Sequence, residues 1–175
     1  MTIPIPIDTS DLRAGAPLHD RLLALLPLVG KWVGEGVGVV ASSGEEFRFG
    51  QRLSFAHDGR PFLAYESRSW LLDGDGAVIR AAMRESGFWR PGPGEDDLEV
   101  QLVNSTGLSE MLTGVAGDLR WELTTEVVVP TPTARQVAGE RRLYALRDES
   151  LAYATELALP GADFEPHLNA ALRRS

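Results

Sequence analysis

The sequence predicts an all-β protein, a ten-stranded antiparallel up-and-down barrel with a short N-terminal helix. Three observations carry that expectation. After Gly30 the apolar residues alternate with polar ones at period two, the rhythm of half-buried strands. Clusters of Gly, Pro, Asp, Asn and Ser interrupt the alternation at the roughly 8–12-residue spacing of sandwiches and barrels. No segment of helical period after Gly30 is long enough to cross a sheet, so consecutive strands are joined as hairpins and run antiparallel. A ring of about ten strands encloses more room than its own side chains fill, which leaves space for a small ligand.

The elements follow in order. Residues 1–16 carry no periodic apolar pattern and read as a loosely held arm, leaving 17–175 as the single folded domain. From Pro17 to Val29, the residues Leu18, Leu22, Leu25, Leu26 and Val29 recur at three- and four-residue spacing, with Pro17 near the first turn and Gly30 at the stop. The first strand covers Trp32 to Val40. In the second, Phe47, Phe49, Leu53 and Phe55 share one parity while Arg48, Gly50 and Arg52 take the other. His57-Asp58-Gly59-Arg60-Pro61 turns the chain into Phe62 to Leu72, and Asp73-Gly74-Asp75-Gly76 turns it into Val78 to Trp89. After the break at Arg90–Gly94, Leu98, Val100 and Leu102 alternate with polar neighbours. Thr106-Gly107 leads to Leu108–Val115, and Gly117-Asp118 leads to Leu119–Val129. The Pro130-Thr131-Pro132 corner opens Ala134 to Leu146, Asp148-Glu149-Ser150 opens Leu151 to Leu159, and Leu168, Ala170 and Leu172 mark the last strand.

Composition removes several function classes. The 25 acidic residues outnumber the 17 Lys and Arg, for a net charge of −8, which repels nucleic-acid backbones and anionic membranes alike. There is no cysteine, so disulfides, thiolate metal sites and cysteine nucleophiles are excluded. No apolar run approaches the ~18 residues of a membrane-spanning helix. Met1 to Ser10 lacks the basic and apolar regions of a secretory signal, so the cytoplasm is the expected location. Neither G-x-S-x-G nor H-E-x-x-H occurs, which argues against conventional hydrolase chemistry.

Few residues remain that could carry chemistry. Gly30-Lys31-Trp32-Val33-Gly34-Glu35-Gly36 places Trp32, Gly34 and Gly36 on one strand face, where glycines signal the close approach of something bulky. The favoured reading is a strand bent at a barrel corner, with Trp32 plugging the floor. Of the three histidines, His19 reads as solvated on its helix and His57 as capping a tight turn. His167 follows Pro166 at the start of the last strand, where a metal-ligand role competes with a structural one. Glu66, Glu85 and Glu99 lie in strands whose facing the pattern does not settle, and solvation or pairing with arginines such as Arg68 and Arg84 is expected.

A set of ordered motifs carries more. GKWVGEG (Gly30–Gly36), LSFAHDGRPFLAYESRSW (Leu53–Trp70), RESGFWRPGP (Arg84–Pro93), PTPTARQVAG (Pro130–Gly139), RRLYAL (Arg141–Leu146) and EPHLNAALRR (Glu165–Arg174) resemble, in this order, the nitrobindin family. These are haem-binding barrels related in shape to the fatty-acid-binding proteins and lipocalins of the calycin group. The resemblance implies one haem b per chain at the barrel mouth, with His167 as the axial ligand of the iron. Arg135 matches a family lysine beside the haem and could fork onto a propionate; the alternative is a solvated strand charge. Ser42 or Ser43, with Ser43 the candidate, stands where the family has a threonine hydroxyl. The chain departs from the family pattern at Met83 and in Asn104-Ser105-Thr106-Gly107, where the family has histidines; Met83 reads as barrel packing rather than a sixth ligand.

The resemblance therefore implies a small-molecule partner. At a His-ligated ferric iron the protein would bind nitric oxide or isomerise peroxynitrite to nitrate, with no nucleic acid or membrane partner and with a homodimer left open. The alternative is a haem-free, calycin-like carrier of a small apolar ligand.

Overall fold

Alternation along the chain is realised as a closed ring. The computed structural model describes Ile5 and residues 7–175. Ten strands follow one another: β1 (Gly30–Val39), β2 (Glu46–Ala56), β3 (Leu63–Leu72), β4 (Val78–Pro91), β5 (Asp97–Asn104), β6 (Leu108–Gly117), β7 (Arg120–Pro130), β8 (Gly139–Arg147), β9 (Ser150–Ala158) and β10 (Glu165–Arg174). Each pairs antiparallel with its sequence neighbours, and β1 pairs with β10 to close the barrel. The ring is closed, with one-sided pairing confined to residues 78–83 of β4, held by β3 alone, and residues 127–130 of β7, held by β6 alone. No helix among the described residues is long and apolar enough to cross a membrane.

Two elements differ from expectation. The helix is a 3-10 helix, Asp20–Leu28, with Pro27 inside it. Its buried stripe is Leu22, Leu25 and Leu28 at three-residue spacing, matching three residues per turn, while Leu26 is exposed. Tertiary donors hold this tight geometry. Trp32 Nε1 donates to the Leu28 carbonyl and Trp121 Nε1 to that of Ala24, both at 2.9 Å. Arg174 lies over the Trp32 ring and donates to the Pro27 and Val29 carbonyls. The helix thus plugs one end of the barrel over the fully buried Trp32, Trp89 and Trp121. Secondly, β8 begins at Gly139, not Ala134, because the Ala134 N–H closes a turn onto the Thr131 carbonyl and residues 131–138 form a connection.

The expected arm, residues 1–16, lies partly outside the described residues. Within them, Thr9 exchanges backbone hydrogen bonds of 2.8 and 2.9 Å with His57. His57 corrects its reading: it is buried, and neither ring nitrogen has a partner among the described residues, so its side chain caps no turn. His19 is not a bystander either, since its Nδ1 accepts the Arg21 N–H as the helix N-cap.

The glycines of β1 serve the barrel itself. A Cβ on Gly36 would lie 2.6 Å from the Phe49 ring and 2.7 Å from Ala170, and one on Gly38 2.3 Å from Phe47. The bulky groups that approach this backbone are the protein's own, and Trp32 plugs the floor as read from the motif.

Candidate functional site

The end of the barrel opposite the helix gathers the β1–β2, β3–β4, β5–β6, β7–β8 and β9–β10 connections. Inward-facing Phe47 and Leu168 are only half-buried there, whereas the tryptophans at the other end are fully buried, so the lumen opens at this end. Its wall includes a small apolar cluster of Leu108, Val137 and Leu157, with Ala41, Val128, Ala134 and Leu159 packed on it.

His167 enters this end through an irregularity. Pro166 pairs with Glu156 and Leu168 with Thr155, so His167 is the unpaired residue of a β-bulge. Strict alternation would turn His167 away from the face shared by Leu168, Ala170 and Leu172; a bulge re-aims the side chain. The imidazole is half-buried, and its Nδ1 lies 2.8 Å from the Val39 carbonyl on β1. A carbonyl only accepts, so Nδ1 carries the proton, and Nε2 makes no hydrogen bond among the described residues. That orientation is the one a metal-ligating histidine requires.

The other candidates fall at the same end. Ser43 lies in the β1–β2 turn, exposed, its Oγ accepting the Glu45 N–H at 3.3 Å, and Ser42 is beside it. Arg135 is exposed in the β7–β8 connection, between Ala134 and Val137, not on a strand. Asn104 fastens the β5–β6 turn: its Oδ1 accepts from the Thr106 and Leu108 N–H groups and from the Thr106 hydroxyl. Met83 is half-buried on β4, its N–H donating to Ser69 Oγ. His167, Ser43 and Arg135 thus share one end of the barrel, brought there from β10, the β1–β2 turn and the β7–β8 connection.

Between the aromatic floor and the open end lies a polar layer that the sequence reading missed. Tyr153 donates to Gln51 Oε1 at 2.6 Å, and Gln51 Nε2 donates to Ser67 Oγ at 2.9 Å. Beside them the buried Arg142 grips Glu85 with both terminal nitrogens, at 2.7 and 2.9 Å, and donates through Nε to Glu140 at 2.8 Å. A third carboxylate, Glu110, stands 3.7 Å from the same guanidinium, beyond hydrogen-bond reach, and its Oε2 is buried without a partner. Glu85 is therefore paired with Arg142 and not with Arg84; Glu66 is exposed and Glu99 half-buried. The available signal was parity: Glu140, Arg142, Tyr144 and Leu146 alternate in one register, which places both charges inside.

Burial pushes the Glu110 carboxyl up to about 7; Arg142 opposes the rise, and Glu140 and Glu85 add to it. Burial likewise raises Glu140, again against the pull of Arg142. Where the folded form holds its proton more tightly than the unfolded chain, the stabilisation is complete below about pH 4.5 and is lost as pH rises through about 7. Stability should therefore fall by on the order of 2 kcal/mol between pH 5 and 8. Asp58, held below its usual value by Arg60, acts with the opposite sign but in a lower window. Urea titrations across this range should show most of the slope vanish in Glu110→Gln; an unchanged slope would assign it elsewhere.

Comparison with known proteins agrees with this architecture. The family model for the THAP4-like, haem-binding β-barrel domain matches residues 21–174. A ferric nitrobindin-like protein of Saccharopolyspora erythraea is 46% identical over 169 residues, covering 95% of this chain and 79% of that protein. A peroxynitrite isomerase of Salinispora arenicola is 43% identical over 176 residues, covering 98% and 89%. The crystal structure of Rv2717c from M. tuberculosis superposes with a TM-score of 0.79 at 28% identity, covering 90% of this chain and 99% of that one. With a match over nearly the whole barrel and relatives above two-fifths identity, this chain belongs to the THAP4-like haem-binding β-barrel family, the nitrobindins.

Proposed function

We propose that the chain binds one haem b in the open end of its barrel through His167, and that it binds nitric oxide and isomerises peroxynitrite to nitrate. The observation that carries the reading is the state of the His167 ring. A bulge turns it out of strand alternation, and the Val39 carbonyl fixes its tautomer with Nε2 free. The donor set fits the group: one neutral imidazole, an apolar wall from Leu108, Val137 and Leu157, and no competing thiolate. Family membership and the peroxynitrite isomerase among the relatives support the same reaction.

Bound there, the iron would supply a Lewis acid able to take nitric oxide or polarise a peroxynitrite oxygen. The chain supplies the rest. Val39 holds the His167 proton at Nδ1, and the apolar wall limits water. Arg135, exposed in the β7–β8 connection, would meet a propionate carboxylate with a charge-assisted hydrogen bond, and Ser43 would offer a hydroxyl from the β1–β2 turn.

The test adds ferric haem to the purified chain and follows the absorption spectrum, then the decay of peroxynitrite by stopped flow. Saturation at one equivalent with a shifted Soret band, and decay to nitrate that scales with loaded protein, are expected. A spectrum indistinguishable from free haem, or decay no faster than with free haem, would overturn the proposal.

A further inference from the structure

Arg142 is the one buried cation among the described residues, and its hydrogen-bonding edges are already taken. A guanidinium offers two forks to carboxylates. Glu85 occupies one of them bidentately, and Glu140 takes the Nε edge, also lying 2.7 Å from Nη2. Glu110 adds a third carboxylate that the cation does not reach.

Two polar atoms of this layer are left without partners. Glu110 Oε2 and Thr155 Oγ1 are buried and unbonded, in residues only 5% exposed. Thr155 is the cross-strand neighbour of Arg142 on one side and of Leu168, beside the His167 bulge, on the other. It therefore stands on the barrel wall where the polar layer meets the open end. Buried polar atoms of folded proteins are almost always bonded, and orphaned ones call for a partner. Elsewhere in the layer Tyr153, Gln51 and Ser67 form a hydrogen-bonded chain.

We propose that Glu110 and Thr155, which flank Arg142 on the inner face of the barrel, form a second binding subsite for the hydrogen-bond-donating head of a guest molecule, an ammonium or a hydroxyl and not a carboxylate. A guest N–H or O–H gives Glu110 Oε2 its missing donor, and the Thr155 hydroxyl can accept or donate. A carboxylate head finds no open fork on Arg142 and meets three acidic side chains around it. It goes beyond the haem proposal and does not depend on His167, since neither partner atom belongs to the imidazole. Burial also makes the Glu110 carboxyl a weaker acid than usual, against the pull of Arg142.

The experiment uses the full chain without haem and three probes with one tail: octylammonium, octanol and octanoate. Binding is followed by calorimetry and by amide shifts of Glu110 and Thr155. Octylammonium and octanol are expected to bind at least about tenfold more tightly than octanoate, a difference of about 1.4 kcal/mol. Glu110→Gln should weaken octylammonium by about tenfold and close the gap to octanoate. Because the whole chain is acidic, Glu122→Gln serves as control: it removes the same charge from an exposed site and should leave the ranking unchanged. Thr155→Val keeps the shape, should cost octanol severalfold, and decides the matter should the Glu110 variant not fold. Octanoate binding as well as the others, equal effects of the two glutamine variants, or no binding and no shifts at Glu110 and Thr155 would each overturn the proposal. Failure here with a normal Soret band would leave the haem reading intact; the reverse outcome would leave the subsite intact.

Discussion

Arg142→Met is expected to destabilise the barrel by about 3–5 kcal/mol at neutral pH, the cost of leaving buried charges uncompensated. The reasoning starts from what remains. Glu85 loses both of its hydrogen bonds from the guanidinium, Glu140 loses its Nε donor, and Glu110 loses the cation 3.7 Å from its carboxylate. Three carboxylates would then share a buried layer, and they could stay only by taking up protons. Against a typical total of about 5–15 kcal/mol for a domain, that loss is large enough to populate the unfolded chain. Acid should rescue the variant, because protonation removes the charges that Arg142 no longer offsets; its stability is expected to recover on going from pH 8 to pH 5. Replacing Glu85 and Glu140 by methionine in the same background should restore much of the loss at pH 7, since an apolar layer needs no counter-charge. Urea denaturation at both pH values measures all three. A single variant within about 1 kcal/mol of wild type would mean that the layer is solvated and that the ion pairs contribute little.

What the sequence made legible follows from which physical rules leave a trace in a one-dimensional pattern. Period-two alternation and turn residues report the strands directly, so the number of strands, their antiparallel order and the plug at Trp32 could be read before any coordinates. The helix shows where pattern misleads. Leu18, Leu22, Leu25, Leu26 and Val29 fit an α-helical stripe, but Pro27 offers no N–H, and tertiary donors from Trp32, Trp121 and Arg174 favour the tighter helix that buries Leu28 instead of Leu26. His167 was singled out by motif and not by periodicity, because the bulge that releases it from alternation has no composition of its own. The Arg142 layer was missed for a different reason. Charged residues in strands are usually solvated, and only the inward parity shared with Tyr144 and with the opposing Glu85 distinguishes these from the outward Arg141 and Arg84. His57 failed differently: a histidine beside a turn was expected to cap it, whereas the ring is buried with neither nitrogen bonded among the described residues.

His167→Ala should separate the two roles open to that residue. If the imidazole serves as the axial ligand, haem affinity is expected to fall by at least about 100-fold, more than the loss usual when a group that only hydrogen-bonds to a ligand is removed. The haem-free variant, in contrast, should keep its stability to within about 1 kcal/mol, because the ring is half-buried and its single hydrogen bond goes to a backbone carbonyl at the rim. A structural histidine would give the opposite pair of results: a less stable barrel with haem affinity lowered only as far as folding is lost. Added imidazole sharpens the distinction. Alanine leaves a gap the size of the missing ring beside the Val39 carbonyl, and a free imidazole can donate one nitrogen to that carbonyl while presenting the other. Recovery of the Soret band with millimolar imidazole in His167→Ala, and none in a variant whose barrel is merely destabilised, is the expected result. The Val39 contact fixes which nitrogen faces the carbonyl, so a ligand that cannot hydrogen-bond at its second nitrogen, such as N-methylimidazole, should rescue less well by the roughly 10–100-fold that such supporting hydrogen bonds contribute. Equal rescue by both would show that the carbonyl does not orient the ligand and that the bulge alone places it.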